Sequence, residues 1–118
     1  MAFDPYQSDR ISRTLKDKGV TSSSKKMMGG QCFLVDDKML LGLDQDKKTL
    51  ENRLMVRVGP HAYPQALEKL GCRPMDFTGK PMKGYVFVYP EGFDLDEQLE
   101  EWIDLAMTFN PLAKKSKK

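Results

Sequence analysis

The sequence predicts an α+β domain of two layers, an antiparallel sheet of about five to six strands covered by helices on one side. Three observations carry this. Apolar segments of period two follow one another across short polar turns, which makes neighbouring strands antiparallel. Segments of helical period stand at both ends and once in between, so the order is helix, strands, helix, strand, helix, without the strict alternation of a doubly wound sheet. The length, 118 residues, suits one domain that buries its own core.

The first helix is expected over residues 4–19, DPYQSDRISRTLKDKG. Asp4 can cap, Pro5 suits the first helical position and Gly19 the position just past the end. Its apolar face is thin, mainly Ile11 and Leu15 with Phe3 or Tyr6, so it belongs at the rim of a core or against a partner. VTSSSKKMMGG follows as a short edge strand broken by Gly29 and Gly30. QCFLVDDKMLLGL reads as a hairpin about the polar turn DDK. DQDKKTLEN is a polar connection with room for one helical turn. In RLMVRVG, Leu54, Val56 and Val58 alternate with Arg53, Met55 and Arg57, the pattern of a half-buried strand.

PHAYPQALEKLG predicts a short helix ending at Gly71, with Tyr63, Ala66, Leu67 and Leu70 as its apolar side and Pro64 tolerable only in the first turn. RPMDFTGKPMKG reads as a turn-forming connection into the strand GYVFVY. In that strand Tyr85, Phe87 and Tyr89 oppose Val86 and Val88, so both faces are apolar and the strand should be central or covered twice. The last helix has Asp94 and Glu97 at capping-box spacing and acidic first turns that suit the helix dipole. Leu95, Leu99, Trp102, Ile103 and Ala106 form one face, and Asn110-Pro111 ends it. Residues 1–113 are read as one domain, and 114–118 as a disordered lysine-rich tail.

Charge is segregated along the chain. The net +2 owes itself to the tail: four of the 19 basic residues lie there, leaving 15 against 17 acidic ones. Every charged residue from 91 to 113 is acidic: Glu91, Asp94, Asp96, Glu97, Glu100, Glu101 and Asp104. No apolar run is long enough to span a membrane, and no secretory signal opens the chain, so the cytoplasm is the expected setting.

Several chemistries find no support in the residues. Gly79-Lys80 is followed by Pro81, Pro74 stands where a P-loop needs its first glycine, and a strand follows, so TGKPMKG is not a nucleotide loop. Neither a dinucleotide fingerprint nor a nucleophile elbow is present. The single histidine, His61, sits in a turn and reads as a surface or capping residue, which leaves no base for Ser22, Ser23 or Ser24. Cys32 and Cys72 lack CxxC spacing and read as buried hydrophobes, and no Cys/His cluster has metal-ligand spacing. The acidic side of the last helix, opposite its apolar face, reads as solvated. No enzyme activity, cofactor or metal is therefore expected.

Nucleic-acid binding is the competing expectation. Lys25, Lys26, Arg53, Arg57, Arg73, Lys80 and Lys83 lie outside the acidic helix and would form a basic patch if they shared a sheet face. Tyr85, Phe87 and Tyr89 would then offer a stacking platform. The plainer reading makes the aromatic row core and the cations ordinary surface. The tail would add salt-dependent attraction without specificity.

KKMMGGQCFLVDDKMLLGL, RLMVRVG, RPMDFTGKPMKGYVFVYPEG and DLDEQLEEWIDLA, in this order, resemble the N-terminal domain of TfoX/Sxy proteins, bacterial competence regulators. The Met-x-Gly-Gly element before a hairpin is present as Met27-Met28-Gly29-Gly30, with Met28 where the family often has an aromatic. The likeness spans about residues 10–109. It implies an antiparallel sheet covered on one side by helices, and no established enzyme activity or catalytic residue. Full-length regulators of this kind carry a second, C-terminal helical domain for which this chain leaves no room, so a single-domain relative is expected. The leading expectation is a non-enzymatic interaction or regulatory module with a protein partner or itself as a homodimer. The alternative is a nucleic-acid-binding regulator using Lys25, Lys26, Arg53, Arg57, Lys80 and Lys83.

Overall fold

The computed structural model describes residues 4–27, 30–46, 48–74 and 84–112, and of Met27 the backbone. The order is α1 (Pro5–Asp17), β1 (Ser23–Met27), β2 (Gly30–Val35), β3 (Lys38–Gln45), β4 (Asn52–Arg57), α2 (Gly59–Ala66), β5 (Cys72–Pro74), β6 (Tyr85–Val88) and α3 (Asp96–Phe109). Short 3-10 turns, Pro90–Gly92 and Asn110–Leu112, flank α3. The strands form one six-stranded sheet in the order β1-β2-β3-β4-β6-β5, with every neighbouring pair antiparallel. The expected α+β architecture is the one observed.

All three helices cover the same sheet face. Ile11 and Leu15 of α1, Ala66 of α2, and Leu99, Trp102, Ile103 and Ala106 of α3 join Phe33, Leu41, Leu43, Leu54, Val56, Val86 and Val88 in one core. The alternation read in RLMVRVG holds, since Leu54, Val56 and Val58 are buried and their neighbours partly exposed. β6 lies inside the sheet between β4 and β5, which is why both of its faces are apolar.

Local chemistry explains the joints. The Asp4 carboxylate accepts the Tyr6 N–H at 2.9 Å and starts α1. The β2–β3 hairpin turns through Asp36 and Asp37, both at positive φ (55° and 63°), as a two-residue turn between paired Val35 and Lys38 requires. A bulge leaves Leu40 without a partner between the pairs Leu34–Met39 and Phe33–Leu41, so Leu40 and Leu41 both enter the core. Buried Arg10 joins α1 to the approach to α3 by donating to the carbonyls of Phe93 (2.9 Å) and Asp94 (3.2 Å). Buried Asn110 donates to the Val35 carbonyl at 3.3 Å, so it anchors the helix end as well as stopping it.

The connection after β3 closes through Leu50 N–H to the Asp46 carbonyl at 2.8 Å, the spacing of the one helical turn expected there. Other expectations shift. The capping box at Asp94 and Glu97 does not form: α3 starts at Asp96, and Gln98 accepts the Leu95 N–H at 2.9 Å. Arg10 already holds the Phe93 and Asp94 carbonyls, which fixes the chain one residue out of the register the pattern suggested. Leu70 and Leu95, expected on apolar faces, are 63% and 59% exposed.

Candidate functional site

The sheet face away from the helices carries the chemistry. Alternation and register put one side chain per strand in a row across it: Lys25, Cys32, Gly42, Met55, Phe87 and Arg73. The neighbouring rows bring Asp44 opposite Arg53, and Arg57 opposite Tyr85. Phe87 and Tyr89 form a second, small apolar cluster here with Met55 and Tyr85 packed against it.

Arginines cover these rings. The Arg53 guanidinium stacks 3.8 Å over Phe87, Arg73 lies 4.2 Å over Tyr89, and Arg57 stands between Tyr85 (5.5 Å) and Phe109 (5.6 Å). Such pairs gain from the negative ring face and from the weak hydration of guanidinium. The aromatic row is thus roofed by cations, unlike the bare platform that stacking of bases requires.

Arg53 is the centre of a polar network. Its Nε and Nη2 donate to both carboxylate oxygens of Asp44 at 2.9 and 3.2 Å, and Nη1 donates to the Tyr89 hydroxyl at 3.2 Å. Asp46 Oδ2 lies 3.5 Å from Nη1 and accepts the Tyr89 hydroxyl proton. That bond, with the Lys48 and Thr49 N–H groups, lowers the Asp46 carboxyl to about 2. Burial, reinforced by the bond to Asp46, raises the Tyr89 phenol. Burial opposes the Arg53 charge, but Asp44 and Tyr89 outweigh it and hold the guanidinium protonated. Two carboxylates therefore answer this cation.

The sequence candidates part company. Lys25, Arg53 and Arg57 share the helix-free face with Arg73, while Lys26, opposite Gln31, points to the helix side. Lys80 and Lys83, and the TGKPMKG connection, lie outside the described residues, as does the tail. His61 is exposed on α2. Cys32 on β2 and Cys72 on β5 face opposite sides with three strands between them, so they cannot pair. Burial raises both thiols, Cys72 to about 11, and Lys25 offsets the rise at Cys32 only in part. Among the described residues no group of three or more His, Cys, Asp or Glu side chains is placed to hold a metal.

A family model, the TfoX N-terminal domain, matches residues 16–110. The chain belongs to the TfoX N-terminal domain family. The matched stretch contains all six strands with α2 and α3, so the arginine–aromatic face of this TfoX-family domain lies wholly inside it. No curated protein matches the chain.

The Asp44–Arg53–Tyr89–Asp46 network was not legible beforehand. Its signal is the register of β3 against β4, which turns residues nine positions apart into a pair. Among the described residues no helix is long and apolar enough to cross a membrane.

Proposed function

We propose that this TfoX-family domain is a non-enzymatic regulatory interaction module, working in the cytoplasm, that receives a protein partner on the helix-free face of its sheet. The observation that carries the reading is the make-up of that face: Met55 with Tyr85, Phe87 and Tyr89, the three rings covered by Arg57, Arg53 and Arg73 in turn. Met, aromatic residues and Arg are the side chains enriched at protein interfaces and at their hot spots. The network about Arg53 holds Tyr89 and Phe87 in place before any partner arrives, which lowers the ordering cost of association.

The sheet edges favour the face over strand addition. β1 exposes Lys25 and Lys26 along its edge, and β5 is three residues long and ends in Pro74, both devices that blunt edge pairing. A homodimer would accordingly use the face, and light scattering that finds only a 13.5 kDa species at micromolar concentration removes it.

The test is charge reversal. R57E and R73E should each weaken retention of the cellular partner at least tenfold, the scale of an interface hot spot. R13E on α1 should leave it unchanged. Equal retention by all three variants refutes the face.

Nucleic-acid binding is the second reading, favoured by Lys25, Arg57 and Arg73 on one face. It predicts that a chain truncated after residue 113 binds single-stranded DNA or RNA at low salt, with affinity falling steeply as salt rises. No binding at low salt removes it.

A further inference from the structure

The corner between α2 and α3, on the opposite side of the molecule's sheet, holds a second constellation. A surface hollow of about 240 Å³ is lined by Lys69, Leu70, Gly92, Gln98, Glu101 and Trp102. Its walls are built, not incidental. Trp102 Nε1 donates to the Gly92 carbonyl at 3.0 Å, and a Cβ at Gly92 would come within 2.3 Å of the Leu70 carbonyl. Gly71, at φ 75°, accepts the Tyr89 N–H through its carbonyl at 2.9 Å and fixes the other rim.

Lys69 lies across this hollow. Its ammonium is 5.6 Å over the Trp102 ring and 3.4 Å from Glu101 Oε1. An indole face beside a carboxylate is a seat for a cation. Here a lysine whose side chain is 36% exposed occupies it, on a long flexible stem that can leave at small cost. Leu70 borders the seat, and Leu95, the residue just before α3, lies beside Gln98, whose side chain accepts the Leu95 N–H at 2.9 Å. Both leucines are largely exposed, Leu70 beyond the end of α2 and Leu95 just before the start of α3. Glu101 lines the hollow and Glu91, whose carbonyl accepts from Gln98, stands beside it, both exposed, and every charged side chain of α3 is acidic.

We infer that this corner is a docking site for a basic segment of a protein partner, one that places a lysine or arginine in the Trp102–Glu101 seat and an adjacent aliphatic side chain against Leu70 and Leu95. The choice of partner rests on charge complementarity with the acidic rim and on Lys69, which displays within the chain the contact the partner would make. The site is separate from the sheet face and does not depend on what binds there.

Trp102 is the sole tryptophan, so its emission reports the seat directly. The probe is the blocked pentapeptide KKLKK, with EELEE as control, added at low salt to the full chain. KKLKK should shift Trp102 emission saturably, and EELEE should not. K69A, which vacates the seat, should tighten binding about threefold or more, and E101Q should weaken it about fivefold, the scale of an exposed ion pair. E100Q, the same charge change on the next residue round the helix, should matter less than E101Q. No emission change up to millimolar peptide, an equal response to EELEE, or equal effects of E100Q and E101Q overturns the assignment. So does a chain ending at Leu112 whose emission differs from that of the full chain as though peptide had been removed, because the occupant is then the chain's own lysine tail.

Discussion

Replacing Arg53 by methionine separates the structural from the recognising arginines. Methionine keeps much of the aliphatic packing and removes the guanidinium, so what is lost is the forked bond to Asp44, the bond to the Tyr89 hydroxyl, the ion pair with Asp46 and the stacking on Phe87 at 3.8 Å. The Arg53 side chain is 12% exposed and Asp44 31%. Breaking a buried pair costs about 3–5 kcal/mol, and an exposed pair is worth about 0–1. This pair lies between those limits, and the stacked ring adds about 0.5–1 kcal/mol, so R53M should cost about 2–3 kcal/mol. For a chain of this size that is roughly 8–12 °C in Tm, at about 4 °C per kcal/mol. Thermal and urea unfolding measure it, with R73M as comparison, since exposed Arg73 should change stability by less than about 0.5 kcal/mol. Adding Asp44→Asn to R53M should cost little more, giving a coupling above about 1 kcal/mol in a double-mutant cycle. An R53M protein within about 0.5 kcal/mol of the parent would refute the claim that Arg53 is committed to the fold.

The other predictions concern turns, protons and thiols. Gly59→Ala meets Phe109 Cδ1 at 2.3 Å from a backbone at φ 85° and should cost about 2–4 kcal/mol, whereas Gly19→Ala, at φ 75° in open space, should cost only about 1–2, both read from urea unfolding. Asp36→Asn with Asp37→Gly supplies the residues a two-residue turn with two positive φ angles prefers and should stabilise by about 0.5–1 kcal/mol in the same assay. Asp46, near 2 when folded and about 3.9 when unfolded, contributes stability above pH ~4 that is lost as pH falls from ~4 through 2; Tyr89→Phe removes the largest cause, so a carboxyl NMR titration should find the Asp46 midpoint moved upward. With Cys72 near 11, its thiolate is about one part in a thousand at pH 8, so a thiol reagent should react slowly with the folded chain and rapidly in denaturant.

Much of this fold is written in local pattern. The alternation of Arg53 to Val58 predicts which side of β4 is buried, and the run Leu99, Trp102, Ile103, Ala106 predicts the inner face of α3. What escapes the sequence is set by contacts between distant segments. The start of α3 is decided by Arg10 of α1, 83 and 84 residues before the two carbonyls it holds. β5 is three residues, Cys-Arg-Pro, a stretch too short for periodicity to show, and it exists because β6 offers an unpaired edge. The basic patch divides for the same reason. Lys25 and Lys26 are neighbours in sequence and therefore opposite in a strand, and Arg53 looks like a free cation until register sets Asp44 across from it. Leu70 and Leu95 fit their helical faces by spacing alone, yet α2 ends at Ala66 and α3 starts at Asp96, so both fall outside the helices and stay exposed.

Photo-crosslinking from the helix-free face tests the central claim most directly. A photoreactive residue at position 73, activated in the cell of origin, should give a discrete adduct with another protein, and the same residue at position 13 on α1 should not. Adducts of equal yield from both positions, or adducts at 73 made only with nucleic acid, would contradict a protein partner on that face.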